Sequence, residues 1–247
     1  MKNNPTLQHL IDSVRIYPGS DFYRARWGDA AAFSELPTVG RKDFVEVPLS
    51  SRRYKEERSL VKIVHGKEGS FLSEWSFDDI GKEQWGEIGA RPLVYMTDPH
   101  EAIEKSMWCY EQNRVPLIGE KDPDLTIYAA GKYRIDSLIT DASALARFAP
   151  YFKTHDPLTS LTIIGDTFDT EALMPSLEYA RRVRLVAALP ETGALAYAEL
   201  ATKPEFRTLP GVVAEEDGEL VVTKCSMLVT PVIRYRTGIR DVGLAHA

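Results

Sequence analysis

The sequence predicts an α/β fold in which a mostly parallel sheet, covered by helices, is followed by an antiparallel β region. Two observations lead to this prediction. Between residues 92 and 189, short apolar runs alternate with segments of helical periodicity, and strand–helix–strand units of this kind build parallel sheets. After residue 193 the helical segments stop, and strand patterns separated by turn residues continue.

The pattern divides the chain into three consecutive segments. Residues 1–60 form an N-terminal helical and irregular arm, residues 61–193 the α/β region, and residues 194–247 the antiparallel β region. The arm opens with "TLQHLIDSVRIY", which predicts a helix. Four of its apolar residues recur at the spacing of one helix face: Leu7, Leu10, Ile11 and Val14.

Five short apolar runs predict the strands of the α/β region: residues 92–97, 115–119, 135–140, 161–165 and 183–189. Asp98 and Asp141 directly follow two of these runs, and aspartate is a favoured residue immediately before a helix because its carboxylate accepts from the first backbone N–H groups. Pro99 fits the first helical position, and Pro175 interrupts or begins the helical segment before the last strand.

The antiparallel region contains a clear hairpin pattern, "GVVAEEDGELVVTK". Asp217 and Gly218 separate its two apolar strands. Glycine supplies the positive φ that tight hairpin turns require, so the sequence predicts the turn at this pair.

Composition excludes several classes of protein. The 247 residues carry a formal net charge of -6 with no dominant basic stripe, which argues against a nucleic-acid partner. No apolar run approaches the roughly 20 residues of a membrane span, and "MKNNPTLQHLIDSV" lacks the apolar core of a secretion signal. Cys109 and Cys225 form no CxxC motif, which fits a reducing compartment. We expect a cytoplasmic protein without a membrane partner.

The C-terminal segment "PVIRYRTGIRD" resembles the "YRTGD" signature of the adenylate-forming ligases, particularly the phenylacetate-CoA ligase branch. Four further segments are similar to that branch and stand in the same order: "DFYRARWGDAAAFSELPTVGRKDF", "YAAGKYRIDSLITDASALARFAPYF", "LTSLTIIGDTF" and "AALPETGALAYAEL". The resemblance implies the large-domain fold of these ligases. It also implies an activity in which a carboxylate and ATP form an acyl-AMP whose acyl group passes to a thiol. The small C-terminal domain that the family carries has no counterpart before Ala247.

The resemblance also implies a set of site residues. Glu191 corresponds to the glutamate that helps hold magnesium, and is the catalytic residue expected. Eight other positions match segments around the ATP or AMP site: Lys67, Gly165, Thr192, Tyr235, Arg236, Thr237, Gly238 and Asp241. A helix- or turn-capping carboxylate is an alternative role for Glu191. The "YRTG" residues could likewise persist because they shape a strand and its turn.

Several positions depart from the family pattern. The phosphate-binding loop corresponds to "HGKEGSFLSEW", which keeps Lys67 but lacks the run of hydroxyl residues and places Glu68 among the glycines; a tight turn between strands explains this segment equally well. The aspartate that binds the ribose is replaced by Ile239, with Asp241 two residues further on. Pro190 stands at the threonine that contacts the AMP phosphate and has neither a hydroxyl nor an N–H to donate.

These departures predict a degenerate relative of the ligases that does not adenylate a carboxylate alone. Its role would be to bind an acyl or carboxylate ligand or a partner protein. The alternative is an ATP-dependent acyl-adenylating enzyme or subunit completed in trans. A further hypothesis is a homodimer formed through the exposed β region. The five histidines show no metal-binding spacing, so magnesium at Glu191 is the metal considered.

Overall fold

The computed structural model describes residues 5–30, 32–76, 85–225 and 229–240. Contacts divide the chain into two compact units, and each is discontinuous in sequence. The first unit comprises residues 1–80, 190–193 and 210–241; the second comprises residues 81–189, 194–209 and 242–247. The division expected from the sequence instead runs in consecutive segments.

The α-helices of the described residues are α1 Pro5–Ile16, α2 Asp21–Trp27, α3 Arg41–Val45, α4 Pro99–Glu111, α5 Pro123–Tyr133, α6 Ala142–Phe148 and α7 Thr170–Leu173. Short 3-10 turns lie at Phe33–Glu35, Leu49–Ser51, Ala149–Lys153 and Met174–Glu178. The strands are β1 Ser59–Gly66, β2 Gly69–Ser76, β3 Pro92–Tyr95, β4 Leu117–Ile118, β5 Ser137–Thr140, β6 Ser160–Gly165, β7 Val183–Leu189, β8 Gly193–Glu199, β9 Arg207–Thr208, β10 Val212–Glu216, β11 Leu220–Lys224 and β12 Val232–Arg236.

The second unit is built on a seven-stranded sheet of order β4-β3-β5-β6-β7-β8-β9. The pairs β3–β4, β3–β5, β5–β6 and β6–β7 are parallel, and β8–β9 is antiparallel. Each of the five predicted apolar runs contains a strand. Strands β3, β5 and β7 are buried along their whole length, as expected when helices cover both faces of a parallel sheet. The mostly parallel α/β prediction is confirmed.

Side-chain caps fix where two predicted helices begin. Asp98 accepts from His100 N at 2.9 Å before α4, and Asp141 accepts from Ala144 N at 2.9 Å before α6. Pro99 is the first residue of α4. Pro175 lies inside the 3-10 turn that continues α7. These local signals therefore place the helices correctly along the sheet.

The first unit contains the β1–β2 hairpin and a three-stranded sheet of order β10-β11-β12, both antiparallel. The predicted amphipathic face of α1 is buried: Leu7, Leu10, Ile11 and Val14 are each less than 8% exposed. The hairpin predicted at Asp217–Gly218 joins β10 to β11. Its loop spans residues 217–219, because Glu216 pairs with Leu220, and Gly218 has φ +68°. The antiparallel β prediction is thus confirmed.

Within the described residues, no helix combines the length and apolar character needed to cross a membrane.

Candidate functional site

Glu191 lies in the short turn between β7 and β8, and its side chain is 1% exposed. Arg41, the first residue of α3, binds the carboxylate in a bidentate manner through one edge of its guanidinium: Nε lies 2.7 Å from Oε1, and Nη2 lies 3.1 Å from Oε2. The hydroxyl of Tyr235 in β12 also donates to Oε1, at 2.7 Å. The Glu191 carboxylate therefore receives three hydrogen bonds from side chains of its own unit.

Backbone pairing places Arg41 beside Tyr235. Val39 forms a parallel bridge with Tyr235: its N–H donates to Arg234 O at 3.0 Å, and its carbonyl accepts from Arg236 N at 2.7 Å. Two residues later α3 begins, with the Asp43 carboxylate accepting from Gly40 N at 2.8 Å. The arginine at the start of the helix thus lies next to the strand that carries the tyrosine.

An aromatic ring packs against Tyr235, on its side of this group of residues. The Phe44 ring stacks on the Tyr235 ring, with centroids 5.4 Å apart and planes inclined by 13°. Phe44 also contacts Phe71 of β2. Glu191 and Tyr235 are both buried, and hydrogen bonds to a charged group are stronger in such surroundings.

The backbone of the Glu191 turn is also held by buried side chains. Ser73 Oγ donates to Glu191 O at 3.2 Å, and Lys224 Nζ donates to Thr192 O at 2.7 Å. Thr192 Oγ1 donates to Gly193 O at 3.1 Å. Thr192 and Lys224 are both buried. The turn is therefore anchored through its carbonyls as well as through the Glu191 side chain.

The Glu191 carboxylate raises the pKa of both side chains that donate to it. The hydrogen bond to Glu191 raises the pKa of Arg41 above its ordinary value, despite the opposing effect of burial. Burial raises the pKa of Tyr235, and the neighbouring Glu191 carboxylate raises it further. Arg41 is therefore charged and Tyr235 neutral, with the tyrosine hydroxyl donating a hydrogen bond to Glu191. We call Arg41, Glu191 and Tyr235 the Glu191 triad.

The triad does not fit a magnesium site. Magnesium prefers oxygen ligands in an octahedral arrangement, whereas both oxygens of Glu191 already accept from protein donors, two of which belong to a cation. In the part of the chain that the structure describes, no group of three or more His, Cys, Asp or Glu residues could hold a metal. In place of the metal ligand or capping carboxylate considered from the sequence, Glu191 forms a buried ion pair.

The "YRTG" residues that follow Tyr235 bind the β10–β11 hairpin. Arg236 Nε donates to Glu219 Oε1 at 2.7 Å, and the Gly238 N–H donates to Glu219 Oε2 at 2.6 Å. Thr237 Oγ1 donates to Leu220 O at 2.7 Å. Gly238 has φ +74°, a conformation that favours glycine. Arg236, Thr237 and Gly238 thus each contact the β10–β11 hairpin at the end of β12.

Ile239 occupies the position of the family's ribose-binding aspartate. Its side chain is 3% exposed, and its carbonyl accepts from Leu220 N at 2.8 Å. An apolar side chain is therefore packed into the core where the family pattern has a carboxylate. Asp241, the expected substitute, lies outside the described residues.

The remaining predicted nucleotide contacts lie in three different elements, and the β1–β2 turn that holds Lys67 is next to the triad: a Cβ on Gly66 would lie 3.5 Å from Arg41 Nη1. Lys67 is exposed in the two-residue turn of the β1–β2 hairpin, where Gly66 pairs with Gly69. Gly165 ends β6 in the second unit, where a Cβ would lie 3.2 Å from Thr167 O. Thr192 is the one of these three that lies beside Glu191.

A second buried ion pair lies in the same unit. The Glu74 carboxylate accepts from Arg53 Nε at 2.6 Å and Nη2 at 2.8 Å, and from Ser59 Oγ at 2.6 Å. Next to it in sequence, Arg52 is buried with its guanidinium over the Phe44 and Phe71 rings, at 4.7 and 5.7 Å from their centroids. Burial lowers the pKa of Arg52.

Sequence reasoning missed the residues that surround Glu191. Arg41 is 150 residues from Glu191, and Tyr235 is 44 residues away. Arg41 and Phe44 stand in a segment that the sequence treats as a connection, and Ser73 and Lys224 carry no motif. The one available signal is the "GRKDF" run, where Gly40 and Asp43 mark the beginning of a helix.

No protein-family description and no curated protein matches this sequence. Many solved structures are similar to it, among them the following three. The Klebsiella oxytoca NpsA N-terminal subdomain with 3-hydroxyanthranilyl-AMSN matches 71% of this chain and 52% of its own, at TM-score 0.57 and 13% identity. A variant of E. coli MenE with bound OSB-AMS matches 78% and 44%, at TM-score 0.55 and 12% identity. The Bacillus subtilis O-succinylbenzoate Coenzyme A Synthetase (MenE) in complex with AMP matches 70% and 42%, at TM-score 0.55 and 10% identity.

The likeness concerns the fold. This chain spans about half the length, or less, of the structures it matches: 52%, 44% and 42%. One of these proteins is a coenzyme A synthetase, and the three were solved with AMP, OSB-AMS or 3-hydroxyanthranilyl-AMSN. The resemblance indicated by "PVIRYRTGIRD" and the segments before it is thus confirmed at the level of fold. The chain has the fold of part of the adenylate-forming ligases.

Proposed function

We propose that this chain alone does not adenylate a carboxylate, and that it acts by binding. It would be a degenerate, non-catalytic relative of the adenylate-forming ligases, on the phenylacetate-CoA ligase-like branch that the sequence motifs indicate. The single observation that carries the proposal is the Glu191 triad. The carboxylate that the family pattern assigns to magnesium is held by Arg41 and Tyr235 instead.

The energetics of the triad support this proposal. To bind a metal, Glu191 would have to release a bidentate arginine and a tyrosine hydroxyl inside a site where it is 1% exposed. Removing one partner of a buried ion pair typically costs about 3–5 kcal/mol. A metal would need to recover that energy before it could contribute to nucleotide binding.

The ligase-like fold supports two kinds of binding partner: a small carboxylate or acyl ligand, or another protein. ATP or AMP with magnesium would be cofactors only if the chain were active. The cytoplasmic location expected from the sequence, and the absence of nucleic-acid and membrane partners, belong to the same proposal.

ATP–pyrophosphate exchange tests the proposal. The purified chain is assayed with magnesium and a panel of aromatic and aliphatic carboxylates, beside an active adenylating ligase that confirms the assay. We expect no exchange above the protein-free blank with any carboxylate. Robust exchange by the chain alone would overturn the proposal. Exchange that requires a second polypeptide would support the alternative of an adenylating subunit completed in trans.

A further inference from the structure

The outer side of β1 in the β1–β2 hairpin carries no further strand among the residues that the structure describes. Among the described residues, β1 pairs with β2 alone, and the pairing runs without a bulge from Ser59↔Ser76 to Gly66↔Gly69. Val61 and Ile63 are 46% and 61% exposed on β1. An unprotected, regular, apolar edge strand is a template for pairing with another strand, and proteins commonly blunt such edges with proline, bulges or short strands. Strand β1 is eight residues long without proline or a bulge, and Lys62 is its one lysine.

The hairpin turn determines which backbone groups point to the outer side of β1. A two-residue turn, here Lys67 and Glu68, closes on a hydrogen-bonded pair, Gly66↔Gly69. Hydrogen-bonded and non-hydrogen-bonded pairs then alternate along an antiparallel ladder. Even-numbered residues of β1 therefore bond to β2, whereas the N–H and C=O of Val61, Ile63 and His65 point away from it.

We propose that two copies of this chain pair through their β1 strands, antiparallel and related by a two-fold axis at Ile63. In this register Ile63 of each copy exchanges N–H···O=C bonds with Ile63 of the other, and Val61 opposes His65. The proposal does not depend on whether the chain adenylates a carboxylate.

The length of the paired segment favours Ile63 as the position of the two-fold axis. The outward groups allow a two-fold hydrogen-bonded centre at Val61, Ile63 or His65. Centred on Ile63, the pairing aligns residues 60–66 of both copies, whereas the other centres align residues 59–63 or 64–66 within the bounds of β1. The Ile63 centre forms the longest ladder.

Charge also favours the Ile63 centre. Pairing about Ile63 brings Arg58 of each copy to the level of Glu68 of the other, which places opposite charges at both ends of the ladder. Opposite charges facing across strands stabilise a sheet, and like charges destabilise it.

The apolar side chains also become continuous in this register. Ile63 lies directly opposite Leu72 of β2, which is 39% exposed. The pairing therefore aligns Leu72 and Ile63 of one copy with Ile63 and Leu72 of the other on one sheet face. Edge pairing buries less area than the roughly 1,200–2,000 Å² of stable interfaces, so we expect a dimer that depends on protein concentration.

Crosslinking tests the register. Ile63→Cys places two cysteines directly opposite each other across the axis, at a Cα separation of about 5.5 Å that a disulfide spans. Val61→Cys is the matched control: it lies on the same face, but its symmetry mate is four residues along the strand, about 13 Å away. After mild oxidation we expect a covalent dimer from Ile63→Cys and no more than the wild-type background from Val61→Cys. Equal crosslinking by the two variants would overturn the proposal.

Sedimentation velocity tests the pairing itself. Ile63→Pro removes an outward N–H without removing a β1–β2 hydrogen bond, so we expect it to raise the dimer dissociation constant by more than about tenfold while far-UV circular dichroism stays unchanged. Arg58→Glu and Glu68→Arg should each weaken the dimer, and the double variant should restore it. A wild-type chain that stays monomeric at all concentrations, or an unaffected dimer in Ile63→Pro, would refute the proposal.

Discussion

At the scale of single residues, Glu191 shows how a motif position can keep its identity and change its partners. The sequence matches the family at this residue, but the chemistry of a carboxylate depends on what faces it. Here Arg41 and Tyr235 face it, and Glu191 stabilises the first unit by joining a helix, a turn and a strand.

The contribution of the triad to stability can be measured. Glu191→Gln keeps the shape of the side chain but leaves Arg41 without its anion. We expect a loss of about 3 kcal/mol in the free energy of unfolding, at the lower end for a broken buried pair, because the Arg41 side chain is 26% exposed and can recover some hydration. Urea unfolding followed by circular dichroism measures this loss.

Asp21→Asn is the matched control. Asp21 pairs with Arg24 on the surface, and its side chain is 73% exposed. Surface pairs contribute up to about 1 kcal/mol. Similar losses for the two variants would show that the Glu191 pair is no stronger than a surface pair.

Tyr235 gives the triad a pH dependence. Its pKa is raised in the folded protein, whereas an unfolded tyrosine ionises near pH 10. The stabilisation is therefore complete below pH 10, and it falls above pH 10 as only the unfolded chain releases the proton, by about 1.4 kcal/mol per pH unit.

Tyr235→Phe removes this effect. The difference in unfolding free energy between the wild type and Tyr235→Phe should be constant from pH 7 to about pH 9.5 and shrink at higher pH, since the variant cannot ionise there. Urea titrations at each pH measure the difference. A difference that stays constant to pH 11 would contradict the raised pKa.

At the scale of secondary-structure elements, side-chain caps and turn residues determine where helices and strands begin and end. Asp141 accepts from Ala144 N before α6 and also from Thr97 N at 2.5 Å and Thr97 Oγ1 at 2.8 Å, beyond the end of β3. It therefore holds two neighbouring connections of the parallel sheet. Asp122 caps α5 alone, through Asp124 N and Leu125 N.

This difference predicts unequal costs for the two caps. We expect Asp122→Ala to cost about 1 kcal/mol, as a typical N-cap does, and Asp141→Ala to cost about 2 kcal/mol because it also leaves Thr97 without its acceptor. Thermal unfolding by calorimetry compares the two variants. Equal costs would mean that the Thr97 bonds add nothing.

The β10–β11 turn depends on backbone conformation. Gly218 has φ +68°, and a Cβ added there meets no atom within 4 Å. Gly218→Ala should therefore cost about 1–2 kcal/mol from conformation alone. Gly218→Asn should cost less, because asparagine tolerates this region better. A neutral alanine variant in urea unfolding would show that the turn changes conformation freely.

The elements were predictable because their signals are local. The apolar runs of β3 to β7, the caps Asp98 and Asp141, and the glycine of the β10–β11 turn each act within a few residues. The triad was not predictable, because its members come from positions 41, 191 and 235 and meet only in the folded chain. The packing of Ile239 also follows from the fold, although its replacement of a carboxylate is visible in the sequence.

At the scale of the whole molecule, the chain combines a ligase fold with a Glu191 carboxylate that already accepts hydrogen bonds from Arg41 and Tyr235. The unit that holds Glu191 gathers residues from three separate stretches of the sequence, and the triad draws one residue from each of them. The matched structures support the fold, whereas the contacts within this unit hold Glu191 in an ion pair with Arg41.

Calorimetric titration with ATP and magnesium tests whether the chain binds a nucleotide, because it detects binding without requiring a reaction. We expect no saturable heat when the folded wild-type chain is titrated under conditions in which an active adenylating ligase binds ATP. Saturable, magnesium-dependent heat that is lost in Glu191→Gln would contradict this expectation. Glu191 would then bind the metal instead of pairing with Arg41.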